Sequence, residues 1–108
     1  MKFDLVYAAQ VIDSEAKSVA KMAELVDSSF AAAAELMYSC SGSVILTGMG
    51  KAGIVGQKIS STLASTGTPS HFLHPAEAVH GDSGRLRKND VVLALSYGGE
   101  TDEILRVS

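Results

Sequence analysis

An alternation of short strand-like runs with helical patterns constrains the fold of this chain more than any other feature. The runs SVILTG, SHFLH and VVLALS begin at Ser43, Ser70 and Val91, and the helix-like segments KAGIVGQKISSTLAST and PAEAVHGD separate them. Short apolar runs rich in β-branched residues are typical of parallel strands buried on both faces. Strands that alternate with helices favour right-handed crossovers. The sequence therefore predicts an α/β fold, a parallel sheet flanked by helices.

Two further helices are predicted before the sheet, over about residues 3–26 and 29–40. Apolar residues recur there every seven positions, at Leu5, Ile12, Val19 and Val26, and Ala9, Ala16, Ala23 and Phe30 follow four residues after each. This spacing makes one apolar stripe at helical period. The short polar side chains of Asp27-Ser28-Ser29 can cap a helix, so we place the break there. The stripe either packs on its own domain or forms a dimer seam, because a periodic stripe does not name its partner.

Length and composition limit the classes of protein to consider. A chain of 108 residues is one domain at most, and 46% apolar with 19% charged residues is ordinary for a soluble globular protein. The net charge of −3 gives no global attraction to nucleic acid, and no apolar run approaches the length of a membrane span. Acidic residues near the start make a poor signal peptide. The lone Cys40 fits a reducing cytoplasm, and we expect it to be a small buried apolar residue.

Three glycines and a lysine follow the first predicted strand. Gly48, Gly50 and Gly53 lie where the strand ends and a helix begins, and glycine allows positive φ and close approach of backbone to a ligand. The first N–H groups of a helix have no internal partner and attract anions. Lys51 adds a positive charge. The turn therefore predicts a phosphate-bearing ligand, while tight strand–helix packing by the glycines remains the alternative.

Neither common nucleotide motif fits this turn. The spacing matches G-x-G-x-x-G, but the dinucleotide fingerprint also needs an acid near the end of the second strand, where this chain has His74 and Pro75. A P-loop needs a different glycine spacing and a Ser or Thr after the lysine, and here Ala52 follows Lys51. We reject both nucleotide interpretations.

A second loop, LALSYGGETDEI, repeats the same pattern after the third strand. Ser96 and Thr101 offer hydroxyl groups, and Gly98 with Gly99 allows a tight bend. Ligands of parallel α/β sheets collect at the carboxyl ends of strands. The three predicted ends carry Gly50 with Lys51, His74 and Ser96. Their convergence predicts a binding site, although helix capping also accounts for Ser96 and Thr101.

Candidate acids and bases follow the second strand. His71, His74 and His80 lie within ten residues. We interpret His71 as a structural strand residue, His74 as a capping or orienting residue and His80 as a proton-transfer candidate, because histidine titrates near neutral pH. Glu103 lies one turn into the last predicted helix. No metal site is predicted, because Cys40 is distant and no H-E-x-x-H spacing occurs.

Together, TGMGKAG, STLASTGTPSHFLHPAEAVHGD and DVVLALSYGGETDEI resemble the sugar isomerase (SIS) domain, and within it the arabinose-5-phosphate isomerase group. The resemblance covers nearly all of residues 1–108. It implies two N-terminal helices over about 3–40 and a sugar-phosphate-binding α/β part over about 43–108, in a flavodoxin-like three-layer sandwich. The family's sheet has five strands, and its members are commonly oligomers. Because only three strands occur here, we expect an incomplete sheet without the C-terminal part of the domain.

The resemblance also implies an activity. The group interconverts D-ribulose 5-phosphate and D-arabinose 5-phosphate through an enediol, without a cofactor, and feeds lipopolysaccharide synthesis. Matching motif positions gives the catalytic set Lys51, His80 and Glu103. The substrate-binding set, from the family's phosphate loop and from the strand ends above, is Gly50, Lys51, Ser96, Gly99, Thr101 and His74.

Two departures from the family pattern affect phosphate binding. Ala52 stands where the family often has serine, and Gly98 stands at a serine of the loop S-N-S-G-E. These changes remove two hydroxyl groups and favour an alternative, a non-catalytic sugar-phosphate sensor. His80 and Glu103 favour the enzyme. Whether this chain alone is active therefore stays open.

Overall fold

A computed structural model describes residues 1–79 and 86–96. The chain divides into two compact units, Met1–Glu35 and Leu36–Ser108. The first helix, α1, spans Leu5–Met22, and a 3-10 turn, Ala23–Leu25, follows it. The second helix, α2, spans Ser28–Tyr38. No described helix combines the length and the hydropathy that crossing a bilayer requires.

The break between the two helices lies where the capping residues predict it. The Asp27 carboxylate accepts hydrogen bonds from the Ser29 N–H at 3.0 Å and from the Ser29 hydroxyl at 2.6 Å. These bonds lower the pKa of Asp27. The predicted first helix is too long, because its last turn tightens to a 3-10 turn and Val26 is already extended, with ψ at 110°.

The apolar stripe of α1 is exposed in the single chain. The exposed fractions of Leu5, Ile12 and Val19 are 79%, 70% and 66%, and α1 contains no buried residue. Both interpretations of the stripe, packing on its own domain and a dimer seam, stay predictions.

Within the part of the second unit that the structure describes, three parallel strands form a sheet. Strand β1 spans Val44–Gly48, β2 spans Ser70–Phe72 and β3 spans Val91–Leu95. Their order is β2-β1-β3, so the first strand is the central one. Helix α3, Gly50–Ser65, connects β1 to β2, and the short α4, Pro75–Val79, follows β2. The predicted parallel α/β fold is confirmed, while the predicted helix after Ser96 lies outside the described residues.

The core is built around β1. Val44, Ile45 and Leu46 are at most 1% exposed, as the continuous apolar run predicts for a strand covered on both faces. On one face, α3 packs through its buried residues Gly53, Gly56 and Ser60. On the opposite face, Ile45 clusters with Leu73, and the half-buried Leu86 packs against them.

The end of α3 carries a Schellman motif. Gly67 has a φ of 100°, which few residues other than glycine adopt. The Thr68 N–H donates to the Leu63 carbonyl at 2.9 Å and the Gly67 N–H donates to the Ala64 carbonyl at 3.4 Å. The helix end that the sequence places before Gly67 is confirmed.

A hydrogen-bonded cluster joins the amino ends of β1 and β3. The Asp90 carboxylate accepts from the Ser43 N–H at 2.8 Å and from the Arg87 N–H at 2.9 Å, and these bonds lower the pKa of Asp90. The Cys40 thiol donates to the Asn89 carbonyl at 3.2 Å. Cys40 is only half-buried, so the expectation of a buried apolar role is wrong. Its thiol ties the segment after α2 to the loop before β3.

Candidate functional site

The carboxyl ends of the three strands lie at one edge of the sheet. Lys51 and His74 follow the ends of β1 and β2 closely, and Ser96 directly follows β3. The predicted convergence of these ends is confirmed by the parallel pairing. The chain leaves β1 for β2 on one side and later reaches β3 on the other side. The switch point between β1 and β3 is where open α/β sheets bind ligands.

Two of the three glycines in the turn serve packing. A Cβ on Gly48 would lie 2.9 Å from the Leu95 carbonyl oxygen, and a Cβ on Gly53 would lie 2.6 Å from the Gly48 carbonyl oxygen. Real Cβ atoms do not approach backbone this closely. The packing alternative is therefore correct for Gly48 and Gly53, which let β1 contact β3 and α3.

Gly50 is different, because its positive φ, and not a close backbone contact, requires glycine at this position. Its φ is 57°, and in residues 1–79 and 86–96, its chain neighbours and its own helix backbone apart, no atom lies within 4 Å of a Cβ built on it. Helix α3 begins here, and Met49 supplies no side-chain cap. The first N–H groups of a helix lack intrahelical acceptors, so this exposed turn can donate to an anion.

Lys51 extends the positive potential of this turn. Its side chain is exposed, and in residues 1–79 and 86–96 no carboxylate pairs with its ammonium group. Ala52 is half-buried beside it and contributes no hydroxyl. The turn therefore offers backbone donors and one exposed cation, a combination that suits a phosphate monoester.

His74 caps the helix that follows it. Its Nδ1 atom accepts a hydrogen bond from the Ala76 N–H at 3.1 Å, and its side chain is half-buried. The capping role considered from the sequence is confirmed.

Of the remaining predicted site residues, the structure describes only Ser96. Ser96 is half-buried at the end of β3 and is engaged in an interaction. The structure thus brings Gly50, Lys51, His74 and Ser96 to one edge. Four further predicted site residues lie outside the described residues: His80, Gly99, Thr101 and Glu103. Their roles stay predictions.

Two buried polar atoms in the described part of the chain lack a hydrogen-bond partner. They are Thr47 Oγ1 and His71 Nε2. His71 pairs with Ile45 in the sheet and lies on the face away from α3, as a structural residue does. Thr47, which is 0% exposed, was not singled out from the sequence, although it is the one polar side chain in the run VILTG. Within the described ranges, no three His, Cys, Asp or Glu side chains are grouped to hold a metal ion.

Comparison with known proteins identifies the fold. Residues 37–108 match the SIS domain. The chain belongs to the SIS domain family. The match includes the glycine turn, both neighbouring strand ends and the loop after β3, so the resemblance inferred from the sequence motifs is confirmed.

Curated SIS relatives are close in sequence and longer than this chain. The chain is 50% identical over 103 residues to arabinose 5-phosphate isomerase KdsD of Pseudomonas aeruginosa, which covers 94% of the chain and 32% of that protein. It is 61% identical over 72 residues to arabinose 5-phosphate isomerase KpsF of Escherichia coli O6:H1, which covers 67% of the chain and 22% of that protein. The chain therefore spans less than one third of either relative.

A solved SIS structure shares the architecture. The E. coli CFT073 protein c3406, in complex with arabinose 5-phosphate, superimposes with a TM-score of 0.85 at 41% sequence identity. The match covers 97% of this chain and 58% of that chain. This similarity confirms the α/β arrangement of helices around a parallel sheet.

Proposed function

We propose that this SIS domain binds a pentose 5-phosphate at the carboxyl edge of its sheet and interconverts D-ribulose 5-phosphate and D-arabinose 5-phosphate. The observation that supports the proposal is the turn at Gly50, where the N-terminus of α3 and the exposed Lys51 follow the central strand. The choice of this sugar phosphate rests on the names of the relatives, arabinose 5-phosphate isomerases KdsD and KpsF. The product would serve lipopolysaccharide synthesis in the cytoplasm.

The chemistry needs a base for a carbon-bound proton and an acid for the oxygens. Isomerisation moves a proton between C1 and C2 through an enediol, and it consumes no redox cofactor because hydrogen moves within one molecule. His80 and Glu103 are the proposed proton-transfer pair, since both follow strand ends in the sequence. Lys51 would hold the substrate or stabilise charge that develops on its oxygens.

Phosphate binding is assigned to both loops. The amides that begin α3 at Gly50 provide donors from the first loop. The second loop, which opens at Ser96, would add the Gly99 amide and the Thr101 hydroxyl. A ligand held by both loops would bridge the switch point between β1 and β3.

Product formation by the full-length protein tests the proposal. Ribulose 5-phosphate is added, and arabinose 5-phosphate is followed by NMR. We expect His80→Ala to lower kcat about 10²- to 10⁴-fold, the usual contribution of one acid or base. Lys51→Met should lower kcat/KM, whereas Lys58→Met, which removes an exposed lysine further along α3, should not. Wild-type kinetics in both His80→Ala and Lys51→Met would reject the assignment.

A sugar-phosphate sensor is the second candidate. Ala52 favours it, because the start of α3 provides no hydroxyl at that position. A titration with arabinose 5-phosphate, followed by phosphorus NMR, separates the two functions. Saturable binding without turnover would support the sensor.

Self-association through α1 is also proposed. Its apolar stripe repeats every seven residues and is exposed in the single chain, and its alanines permit close helix approach. A second copy of the chain carries the same stripe, so the proposed assembly is a homo-oligomer.

A further inference from the structure

We propose that a cleft at the amino edge of the sheet binds an organic cation that carries a guanidinium group. The cleft has a volume of about 450 Å³. Two of its lining residues place it at this edge, because Val44 begins β1 and Pro69 directly precedes β2. The proposed phosphate site lies at the opposite, carboxyl edge. The inference is therefore independent of the proposed function and would stand if that function were wrong.

Two helices end at this cleft. Met37 and Tyr38, the last residues of α2, line one part of its wall, and Gly67 and Thr68, which follow α3, line another. The aligned peptide dipoles of a helix place partial negative charge at its C-terminus. A molecule in the cleft therefore meets the negative ends of two helices, which favour a cation over an anion.

Neither of these helices supplies a cation of its own. The last turn of α1 contains Lys21, whereas the last turns of α2 and α3 contain no basic residue. Basic side chains near a helix C-terminus commonly bind its last carbonyl groups. Among the described residues that line the cleft, none is charged. No side chain of the cleft wall therefore neutralises the two helix ends.

The end of α2 also offers hydrogen-bond acceptors. The final carbonyl groups of a helix have no intrahelical donor. At the end of α3, the Schellman motif occupies the carbonyls of Leu63 and Ala64. At the end of α2, the carbonyls of Met37 and Tyr38 accept no hydrogen bond from residues 1–79 and 86–96. A cationic donor in the cleft can supply the hydrogen bonds that these carbonyls lack.

Asp90 adds a full negative charge behind the cleft wall. Its carboxylate packs so closely against Gly42, a lining residue, that a Cβ on Gly42 would overlap with Oδ1. The two carboxylate oxygens accept from the Ser43 and Arg87 amides. Within the described ranges the carboxylate forms no salt bridge. Its charge therefore strengthens the attraction of the cleft for a cation.

Tyr38 favours guanidinium among the possible cations. Its side chain is 90% exposed, so its ring is available for stacking. A guanidinium group is planar, stacks on aromatic rings and donates several hydrogen bonds, whereas an ammonium group is compact and strongly hydrated. A hard metal ion fits less well, because its oxygen ligands usually include carboxylates and the described cleft wall has none.

Binding of ethylguanidinium to the protein, followed by proton–nitrogen NMR, tests the proposal. Ethylurea is the matched control, since it has nearly the same shape and no charge. We expect ethylguanidinium to shift the amide signals of Gly42, Gly67 and Thr68 saturably, and ethylurea to leave them unchanged. Added salt should weaken the binding, because it screens exposed charges. At constant ionic strength, arabinose 5-phosphate should not displace the cation.

A tyrosine pair tests the stacking contact. Tyr38→Leu should weaken ethylguanidinium binding about two- to fivefold, the usual contribution of an exposed cation–π contact. Tyr7→Leu removes another exposed tyrosine ring, on α1, and should leave the affinity unchanged. Because both side chains are exposed, neither substitution should prevent folding.

Arginine in two forms identifies the source of the group. Free arginine carries a carboxylate that the helix C-termini repel, and acetylated, amidated arginine does not. Tighter binding of the blocked form indicates an arginine side chain of a partner protein. Equal or tighter binding of free arginine indicates a small molecule.

Saturable shifts that depend on the charge of the ligand and on Tyr38 support the site. Equal shifts with ethylurea overturn it, as do shifts that do not saturate before the protein begins to unfold. Propylammonium that binds as tightly as ethylguanidinium overturns the assignment of a guanidinium group. An equal loss of affinity in Tyr38→Leu and Tyr7→Leu overturns the stacking contact.

Discussion

Gly53 of α3 is seated directly on Gly48 of β1, and a Cβ on Gly53 would come within 2.6 Å of the Gly48 carbonyl oxygen. Backbone atoms form both sides of this contact, so neither side can yield without moving the strand or the helix. Gly56, one turn later, meets the ring of Phe72 instead, with 3.3 Å between its Cβ position and the nearest ring atom. The two positions therefore differ in how they accommodate a methyl group.

Gly53→Ala should destabilise the protein by about 1–3 kcal/mol, the usual cost of overpacking. Gly56→Ala should be close to neutral, because the Phe72 ring can shift and alanine is favoured over glycine within a helix by about 1 kcal/mol. Thermal unfolding of both variants measures the difference. Equal Tm values for the two would contradict the contact at Gly48.

Gly50→Ala and Gly67→Ala form a second matched pair at opposite ends of α3. Both glycines have positive φ, and among the described residues no neighbour contacts either Cβ position, so each substitution carries a similar conformational cost of about 1–2 kcal/mol. Only Gly50 lies in the proposed phosphate turn. Titration with arabinose 5-phosphate should show weaker binding for Gly50→Ala alone. An equally large loss of affinity in Gly67→Ala would mean that both variants bind less because they are less stable, and not because the phosphate turn is changed.

Thr47→Val should be neutral or stabilising. The Thr47 hydroxyl is buried without a partner, which costs about 1–3 kcal/mol, and valine has nearly the same shape. Ser70→Ala is the control, because its hydroxyl donates to the Val44 carbonyl at 2.7 Å and is also hydrogen-bonded to the Ser60 hydroxyl at 2.9 Å. Chemical denaturation should show loss of stability for Ser70→Ala only. A clear loss in Thr47→Val would mean that the hydroxyl has a function in the folded protein.

Asp90→Asn should remove a pH-dependent part of the stability. Hydrogen bonds from the Ser43 and Arg87 amides lower the pKa of Asp90 below its ordinary value of 3.8, so the native state favours the carboxylate. Its contribution is fully present above that value and is lost as pH falls through the lower native pKa. The gap in Tm between wild type and Asp90→Asn should stay constant from neutral pH to about pH 5 and close below about pH 4. A gap that persists at lower pH would contradict the role of the carboxylate.

Ile12→Glu should weaken self-association. Ile12 lies within the exposed stripe of α1, and a charge there would have to be desolvated in any helix seam. Ser14→Glu, on a different face of the same helix, adds the same charge without touching the stripe. Sedimentation velocity of both variants measures the assembly. An unchanged oligomer in Ile12→Glu would exclude the stripe as the seam.

Much of the fold could be predicted because its periodicities are unambiguous. The run VILTG is apolar throughout except for Thr47, and β1 is buried on both faces as such a run requires. Gly67 marked the end of α3, since its positive φ is needed for the Schellman motif. The end of α1 was missed, because a helix that tightens to a 3-10 turn at Ala23–Leu25 leaves no separate signal in the spacing.

The site was predicted less completely than the fold. Sequence spacing placed Gly50, Lys51, His74 and Ser96 at strand ends, and parallel pairing brings strand ends to one edge. The spacing could not show which glycine serves packing and which serves the turn. Close backbone contact at Gly53 and positive φ at Gly50 both require the same residue type, glycine. The sequence also could not show which atom of His74 caps α4, and the structure shows that Nδ1 accepts from the Ala76 N–H.

The central position of β1 has a consequence for how the molecule assembles. Strand β1, helix α3 and strand β2 are consecutive, so their contacts close short loops, whereas β3 must return across the full crossover to reach the other side of β1. The first loop of the proposed phosphate site would thus form within the local β1-α3-β2 unit, and the second loop would be added when β3 pairs with β1. A sugar phosphate that needs both loops would bind only chains in which β3 is paired with β1, and so would selectively stabilise that pairing.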